Sequence, residues 1–390
     1  MPLPPGAGCQ DDTVRILIVG AGLYGAVCAH ELTKAGHTCR IIEKRNHIGG
    51  NVFTRFDEAA QCHEHVYGAH IFHTNNDRIW KYVNQFAKFN HYVNRVKVRS
   101  NEQIFSFPIN LFTLYQIYGV TTPAQAEAQL AQVRVPFENP ANMEEFCLSA
   151  IGPELYQTFI EGYTTKQWGR HPRNLPADIV KRLPIRMTYD DNYFNDRYQG
   201  IPIGGYTAMV EKIIGAVPVE TGVDFLADKA YWADQADLVI YTGSIDAYFD
   251  YALGTLEYRS LRFEREVLPI RDFQGNAVVN YTDAAVPFTR ILEHKHFDMN
   301  FSGDSTVITR EYPLQWHKGI EEYYPINDAR NNTLFKAYRA EANTLSGKIH
   351  FGGRLGEYVY YDMHQVIGSA LAFLERLHKS PRGGGTLADA

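Results

Sequence analysis

The chain has 390 residues, of which 45% are hydrophobic and 21% are charged, with a formal net charge of −6. This composition is that of an ordinary globular protein with room for two or three structural units. The acidic balance excludes a broad cationic face for nucleic acid, and no apolar run approaches the roughly 18 residues of a membrane span.

The N-terminal segment Met1–Asp12 is rich in Pro and Gly and has no apolar core, so we expect a flexible leader and not a signal peptide. The tail Pro381–Gly385 is expected to be disordered. The cysteines are odd in number and widely spaced, and they contain no CxxC pair. This pattern indicates reduced cysteines in a cytoplasmic protein, not disulfides or a zinc site. The cysteines are Cys9, Cys28, Cys39, Cys62 and Cys147.

The first predicted element after the leader is a dinucleotide-binding βαβ unit. The apolar run Ile16–Val19 leads into Gly20-x-Gly22-x-x-Gly25, and a second strand ends at Glu43. Gly20 would make the tight turn, Gly22 would let a pyrophosphate approach the backbone, and Gly25 would let the helix pack on the strand. Phosphates would lie at the helix N-terminus, with Glu43 on the ribose hydroxyls. A chance glycine cluster in a loop is the alternative.

The segment that follows Glu43 indicates FAD in preference to NAD. Arg45 is followed by Gly49, Gly50 and Asn51 directly after the second strand. In flavin enzymes resembling the glutathione reductase and amine oxidase group, such a segment wraps the pyrophosphate and the flavin edge. A guanidinium suits paired phosphate oxygens, and glycines allow close backbone approach. An ordinary turn at Gly49-Gly50 is the alternative.

Alternation of apolar and polar residues predicts strands in the rest of the chain, and helical spacing predicts helices. Proline-rich stretches indicate loops. The remaining predicted elements are, in chain order, a hairpin over 91–107 around Ser100-Asn101, short helices over 111–169, a loop over 169–184, a helix up to Ile214, strands at 217–223 and 238–243, an antiparallel sheet over 255–320, a strand at 349–354 and a helix over 362–376.

These elements predict an α/β fold in which a Rossmann-like FAD-binding domain carries an inserted helical domain and an antiparallel β-sheet domain. The expected boundaries are 13–75, 200–245 and 345–379 for the FAD-binding domain, 108–183 for the helical domain with a mobile loop at about 169–183, and 76–107, 184–199 and 246–344 for the sheet domain.

Several further segments form a joint pattern that runs in order from about Arg15 to Leu377. They are Gly68–Asn75, Tyr163–Gly169, Lys181–Pro184, Asp191–Pro202, Tyr281–Asp283, Thr289–Lys295, Glu322–Pro325 and Gly352–Gly356. Taken together, these segments resemble the bacterial type of the UDP-galactopyranose mutase family.

The resemblance implies an isomerase that interconverts UDP-galactopyranose and UDP-galactofuranose without net redox change, in galactofuranose and cell-wall biosynthesis. It implies reduced FAD, whose N5 attacks the anomeric carbon while UDP leaves. The sugar would open as a flavin iminium, close again through its 4-hydroxyl and recapture UDP. The resemblance also implies NADH, NADPH or another reductant for the flavin, and a homodimer.

The resemblance places three residues at the chemistry. Arg182 and Arg290 would flank the pyrophosphate, with Arg182 on a loop that closes over the site. His70 would lie against the flavin near N5. A solvated surface charge is the alternative for either arginine, and a satisfied core histidine is the alternative for His70.

By the same resemblance, Trp168 stacks beside uracil, and Tyr324 and Tyr360 donate to phosphate oxygens. Core packing is the alternative for Trp168 and Phe159. The implied substrate-binding residues are Phe159, Thr164, Trp168, Tyr193, Phe194, Asn280, Tyr324 and Tyr360. The implied cofactor-binding residues are Gly20, Gly22, Gly25, Glu43, Arg45, Gly49, Gly50, Asn51, Arg354, Asp362 and Met363.

The sequence also allows other functions. The histidines His63, His65, His70 and His73 lie close together, but their spacing lacks supporting ligands, so no metal is expected. An FAD-dependent amine-oxidase-like oxidoreductase shares the nucleotide domain and is the alternative enzyme. It needs no pyrophosphate clamp, so Arg182 and Arg290 favour the mutase. A noncatalytic nucleotide-binding protein is the third possibility.

Overall fold

The computed structural model describes residues 13–181, 183–299, 302–345 and 347–379. The expected leader and tail, Cys9 and Arg182 lie outside these residues. The chain divides into two compact units. The first contains Met1–Phe53, Tyr206–Glu257 and Pro325–Ala390, and the second contains Thr54–Gly205 and Tyr258–Tyr324. The division into three domains expected from the sequence stays a prediction.

The strands follow the runs of β-branched and aromatic residues. In chain order they are β1 (Arg15–Val19), β2 (Thr38–Glu43), β3 (Thr54–Asp57), β4 (Cys62–His65), β5 (Phe72–Thr74), β6 (Lys97–Ser100), β7 (Gln103–Ser106), β8 (Tyr198–Gly200), β9 (Val219–Thr221), β10 (Leu238–Tyr241), β11 (Tyr258–Leu268), β12 (Val278–Tyr281), β13 (Arg290–Glu293), β14 (Thr306–Gln315), β15 (Tyr324–Pro325) and β16 (Ile349–Phe351).

Several helices begin at an Asn, Thr or Asp whose side chain accepts a backbone N–H of the first turn. The α-helices are α1 (Leu23–Lys34), α2 (Asp77–Val83), α3 (Leu111–Tyr118), α4 (Pro123–Val133), α5 (Met143–Tyr156), α6 (Gly162–Trp168), α7 (Gly205–Ile214), α8 (Lys229–Asp234), α9 (Ile245–Tyr248), α10 (Lys295–Asp298), α11 (Ala329–Asn343), α12 (Gly353–Gly356) and α13 (Met363–Lys379).

The first unit is built on a parallel sheet in the order β16-β10-β1-β2-β9. In such a sheet the carboxyl ends of the strands meet at one edge, where ligands bind. The turn after β1 therefore lies beside the turn after β10, and a Cβ on Gly20 would lie only 2.0 Å from Thr242 Oγ1. The prediction of a Rossmann-like nucleotide-binding fold is confirmed.

The second unit contains a larger sheet in the order β15-β11-β14-β13-β12-β6-β7. The predicted hairpin is present as β6 and β7, and β11 to β14 pair antiparallel as expected. One pair differs from the expectation, because β6 and β12 run parallel. The two strands come from distant parts of the chain, so short-range alternation cannot fix their direction.

The predicted short helices lie in the second unit as α3 to α6. Between α5 and α6 the chain makes a π-helical turn at Gln157–Glu161. Gly162 then lies so close to the loop after β12 that a Cβ there would lie 2.0 Å from Thr282 O. Only a glycine allows α6 to begin against this loop.

Among the described residues, no helix combines the length and apolar character needed to cross a membrane. The cysteines within the described ranges, which are Cys28, Cys39, Cys62 and Cys147, are free and buried. Burial raises the pKa of each of these thiols, so they are inert at neutral pH.

Candidate functional site

The glycine turn of the first unit is open where a pyrophosphate would approach. Gly22 caps α1 without a side-chain hydrogen bond, so the N–H groups of the first turn are available to an anion. A Cβ on Gly22 would have only Gly50 Cα within 4 Å, at 3.9 Å. Glu43 stabilises this turn, because its carboxylate accepts the N–H of Ala21 at 2.8 Å and of Arg45 at 2.9 Å.

The segment after β2 folds back over the same turn. The N–H of Gly49 donates to Ala21 O at 2.9 Å, and Arg45 Nη2 donates to Asn51 Oδ1 at 2.9 Å. The structure thus brings together the predicted cofactor residues of the N-terminal segment. An uncapped helix N-terminus, a backbone free of side chains and a buried carboxylate fit a dinucleotide.

The segment just before the C-terminal cofactor candidate Arg354 packs against α1. Arg354, in α12, holds its guanidinium 5.2 Å from the ring centroid of Tyr360. The turn before α12 packs on α1, since a Cβ on Gly352 would lie 2.2 Å from Tyr24 Cζ. Asp362 precedes α13, whose first residue is Met363, and its carbonyl accepts the N–H groups of Gln365 and Val366.

Arg290 occupies the centre of a polar row across the larger sheet of the second unit. Asn280 in β12 is directly opposite Arg290 in β13, and Arg290 is directly opposite Glu311 in β14. Directly opposite residues of antiparallel strands point to the same face. The register therefore places a guanidinium between an amide and a carboxylate.

Glu311 is the counter-ion of Arg290. Its Oε1 lies 3.1 Å from Arg290 Nε, and the two side chains are 2% and 23% exposed. Burial disfavours the guanidinium, but Glu311 and the phenols of Tyr163, Tyr324 and Tyr193 raise the pKa of Arg290 well above its ordinary value. Burial raises the pKa of Glu311, an effect that Arg290 opposes. We take the pair as ionised, because each charge favours the other.

Aromatic rings surround the positions predicted to bind the nucleotide. Phe159, in the π-helical turn, is 2% exposed and packs on Phe105 and Phe107 with ring centroids 5.5 and 6.0 Å apart. Tyr193 also contacts Phe107, at 6.4 Å, and lies edge-on to Phe194 at 5.1 Å. In this structure Phe159 is a core ring, and its nucleotide role stays a prediction.

Phe194 is held by a histidine. The rings of His73 and Phe194 stack with centroids 3.7 Å apart. His73 Nδ1 lies 2.5 Å from Asp196 Oδ2, and Asn75 Nδ2 donates to the other carboxylate oxygen. His73 thus has a carboxylate partner, as has His63, whose Nδ1 lies 2.7 Å from Asp298 Oδ2.

Thr164 and Trp168 lie four residues apart on α6 and therefore share one face of this helix. Thr164 is buried and Trp168 is half-buried, which leaves part of the indole available for stacking. Tyr324 is half-buried in the edge strand β15 and is one of the phenols that raise the pKa of Arg290.

His70 begins a chain of hydrogen bonds within the second unit. Its Nδ1 lies 2.8 Å from Gly68 O, which can only accept a hydrogen bond. Nδ1 therefore carries a proton, and in the neutral ring Nε2 carries the lone pair. The backbone N–H of His70 donates to His65 Nδ1 at 3.2 Å, and that of His65 donates to His294 Nδ1 at 3.1 Å. Burial lowers the pKa of His65, and that of His294 to about 4.

Sequence reasoning assigned no role to two residues that hold these groups in place, Glu311 and Asp196. Glu311 left the best signal, since β14 reads as a buried strand and a carboxylate at one of its buried positions needs a cation. The partner could not be found, because it depends on the register between β13 and β14.

Two family models match the chain. One described as UDP-galactopyranose mutase matches residues 158–360, and one described as an NAD(P)-binding Rossmann-like domain matches residues 18–86. The first covers the aromatic positions, the Arg290 row and Arg354, and the second covers the glycine turn.

Similar proteins cover nearly the whole chain. A "Probable UDP-galactopyranose mutase" of Klebsiella pneumoniae is 44% identical over 92% of this chain and 93% of its own. A "dTDP-fucopyranose mutase" of Escherichia coli is 36% identical over 92% of this chain and 96% of its own. The crystal structure of a reduced UDP-galactopyranose mutase superposes with a TM-score of 0.72 over 94% of both chains; at 16% identity it shows the fold alone.

We predict that Glu311→Gln lowers the free energy of unfolding by roughly 2 kcal/mol, below the value of about 3–5 kcal/mol for a fully buried pair because Arg290 is partly exposed. Arg290→Met combined with Glu311→Gln should cost less than the two single changes added, by about 1 kcal/mol or more. Urea unfolding of the four proteins measures both quantities.

The matched control is Glu266→Gln, which breaks the ion pair with Arg310 (2.8 Å) and should cost less than about 1 kcal/mol, because the carboxylate of Glu266 is 43% exposed. Additive costs for Arg290 and Glu311 would show that their charges are not coupled.

Proposed function

This chain belongs to the UDP-galactopyranose mutase family, and we propose that it interconverts UDP-galactopyranose and UDP-galactofuranose without net redox change. The observation that carries the proposal is the 44% identity to a named mutase over nearly the whole length of both chains. The Arg290 row supports it, because a partly buried, permanently charged guanidinium suits a leaving group that remains bound while it is detached.

We propose FAD as the cofactor, in its reduced form. When bound, reduced FAD supplies a nucleophilic nitrogen that can displace UDP and is later released unchanged, which explains an isomerisation without net redox change. The open turn at Gly22 and the N-terminus of α1 would bind its pyrophosphate, and Glu43 its ribose. Arg354, Asp362 and Met363 would hold the remainder.

Arg290 would bind the pyrophosphate of the substrate and hold it between departure and return. Glu311 forms an ion pair with this guanidinium on its Nε side, at 3.1 Å, and the terminal nitrogens would donate to phosphate oxygens. Asn280, directly opposite, would add an amide donor. Arg182 is proposed as the second cation, on a loop whose closure excludes water.

The uridine would bind along α6 and the aromatic positions. Trp168 offers an exposed part of its indole for stacking on uracil, and Thr164 lies on the same helix face. Phe159, Tyr193 and Phe194 would shape the pocket, and Tyr324 and Tyr360 would donate to phosphate oxygens.

His70 would lie against the flavin with Nε2 unprotonated in the neutral ring, since Nδ1 donates to Gly68 O. A neutral imidazole in this orientation accepts a hydrogen bond and can take up a proton at Nε2. We further propose a cytoplasmic homodimer in galactofuranose biosynthesis for the cell wall, with NADH or NADPH reducing the flavin.

The decisive experiment incubates UDP-galactofuranose with the purified protein and dithionite and follows the products by chromatography. We expect UDP-galactopyranose with reduced flavin and none with oxidised flavin. dTDP-fucopyranose is tested in parallel, because of the 36% identical relative. A flavin-loaded protein that converts neither sugar nucleotide but forms peroxide from amines would replace the proposal with the oxidase alternative.

Two glycine variants separate cofactor binding from folding. Gly22→Ala should leave the apoprotein as stable as wild type, since φ is −77° and the nearest atom is 3.9 Å from the new Cβ, but should lower the FAD content of the purified protein. Gly25→Ala should destabilise the apoprotein, because its Cβ would lie 2.0 Å from Gly20 O. Flavin absorbance and thermal unfolding are the measurements. Full FAD content in Gly22→Ala would place the pyrophosphate elsewhere.

Arg182→Ala should abolish turnover far more than it reduces FAD content, because the predicted contact is to the substrate pyrophosphate. The matched control is Lys181→Ala, which removes an exposed neighbouring cation paired with Asp178 and should keep turnover near wild type. Chromatographic rates and flavin absorbance measure the two effects. Unchanged turnover in Arg182→Ala would remove this arginine from the clamp.

A further inference from the structure

The ammonium of Lys166 lies in a cage of backbone carbonyl oxygens. Its Nζ is 2.8 Å from Tyr281 O, 2.9 Å from Asp283 O, 2.9 Å from Val286 O and 3.0 Å from Phe288 O. An ammonium has three N–H donors, so the four oxygens share them. We call these four oxygens the carbonyl cage.

The carbonyl cage is a cation site formed by one short segment. All four oxygens belong to residues 281–288, which connect β12 to β13. Carbonyl dipoles that point at one spot repel each other unless a cation lies between them, as K⁺ does in a ring of carbonyls. Lys166 is half-buried, so the cage lies within reach of solvent.

Lys166 is therefore an ammonium at neutral pH. Burial lowers its pKa to about 8, and Asp283 acts in the opposite direction. The hydrogen bonds that the ammonium donates to the four carbonyl oxygens also favour the charged form.

The carbonyl cage joins the two parts of the candidate substrate site. Its segment connects Asn280 to Arg290, whose strands pair directly. Lys166 itself lies on α6, about 200° around the helix from both Thr164 and Trp168. The same helix begins at Gly162, against Thr282 O. One side of α6 is thus fixed to the loop before Arg290, while the other side carries the predicted uridine contacts.

We propose that the carbonyl cage is a cation-binding site whose resident ammonium makes Lys166 a positioning residue for the substrate. By holding α6 on segment 281–288, Lys166 sets the position of Thr164 and Trp168 relative to Arg290. An enzyme that binds a uridine at one end and a pyrophosphate at the other depends on this spacing. The role in substrate binding rests on the proposed function; the cation site does not.

The test compares Lys166→Ala, which empties the cage, with Lys166→Met, which keeps most of the side chain but has no donor. Flavin-loaded variants are assayed in NaCl, KCl and NH₄Cl at equal ionic strength. The measurements are KM and kcat for UDP-galactofuranose, the Kd of UDP by calorimetry, and thermal unfolding.

In NaCl we expect Lys166→Ala to raise KM and the Kd of UDP roughly tenfold, within the hundredfold that a misplacement of about 1 Å can cost, and to change kcat less. KCl or NH₄Cl should restore much of the affinity and the thermal stability of Lys166→Ala, because a free cation enters the cage. Lys166→Met should show the same defect without recovery, since its side chain blocks the cage.

The control is Lys295→Ala. Lys295 is buried in the same unit and also donates to a backbone carbonyl, Arg271 O at 2.6 Å. Its loss should lower thermal stability and leave the Kd of UDP near wild type. An equal rise in Kd for Lys295→Ala would show a general effect of destabilisation.

Other outcomes are also decisive. Unchanged KM and Kd in Lys166→Ala would overturn the positioning role. A defect that neither K⁺ nor NH₄⁺ relieves, including failure to fold in all three salts, would overturn the cation site. If wild type converts no sugar nucleotide, the proposed function fails; the salt dependence of unfolding still decides the cage.

Discussion

The candidate substrate site of the second unit depends on a positive charge held in a β-sheet. Removing the guanidinium of Arg290 from water is unfavourable, and Glu311 offsets this cost at 3.1 Å. The carboxylate also limits what can lie beside it. A Cβ on Gly68 would be 3.3 Å from Glu311 Oε2, at a backbone φ of +92°. Gly68 O accepts the Nδ1–H of His70. The backbone of Gly68 therefore lies between His70 and Glu311, the counter-ion of Arg290.

The nucleotide-binding turn of the first unit could be predicted from the sequence because it depends on interactions between residues that are close together along the chain. Gly20, Gly22, Gly25 and Glu43 lie within one βαβ unit, and each has a conformational or charge requirement that the residue type reveals. Parallel strands need crossover connections, so the strands of such a sheet are separated along the chain. The apolar runs that follow later in the chain could accordingly be assigned to this sheet.

The candidate substrate residues of the second unit were predictable only as a set and not as an arrangement. Asn280, Arg290 and Glu311 form a row through the register of three strands, and register is a long-range property. The carbonyl cage around Lys166 was not foreseen, because backbone oxygens leave no mark in the sequence. Phe159 shows the opposite difficulty: its residue type suits both a nucleotide pocket and a core, and here its ring packs in the core.

The hydrogen bonds that link His70, His65 and His294 do not allow proton transfer between these histidines. The links from His70 to His65 and from His65 to His294 each use a main-chain amide as the donor. An amide proton is too weakly acidic to hop along such a chain during turnover, so these links orient rings but conduct nothing. His294 then donates from Nε2 to Thr309 Oγ1, 2.8 Å away. Whatever acid–base exchange His70 performs therefore takes place without proton transfer to the imidazoles of His65 and His294.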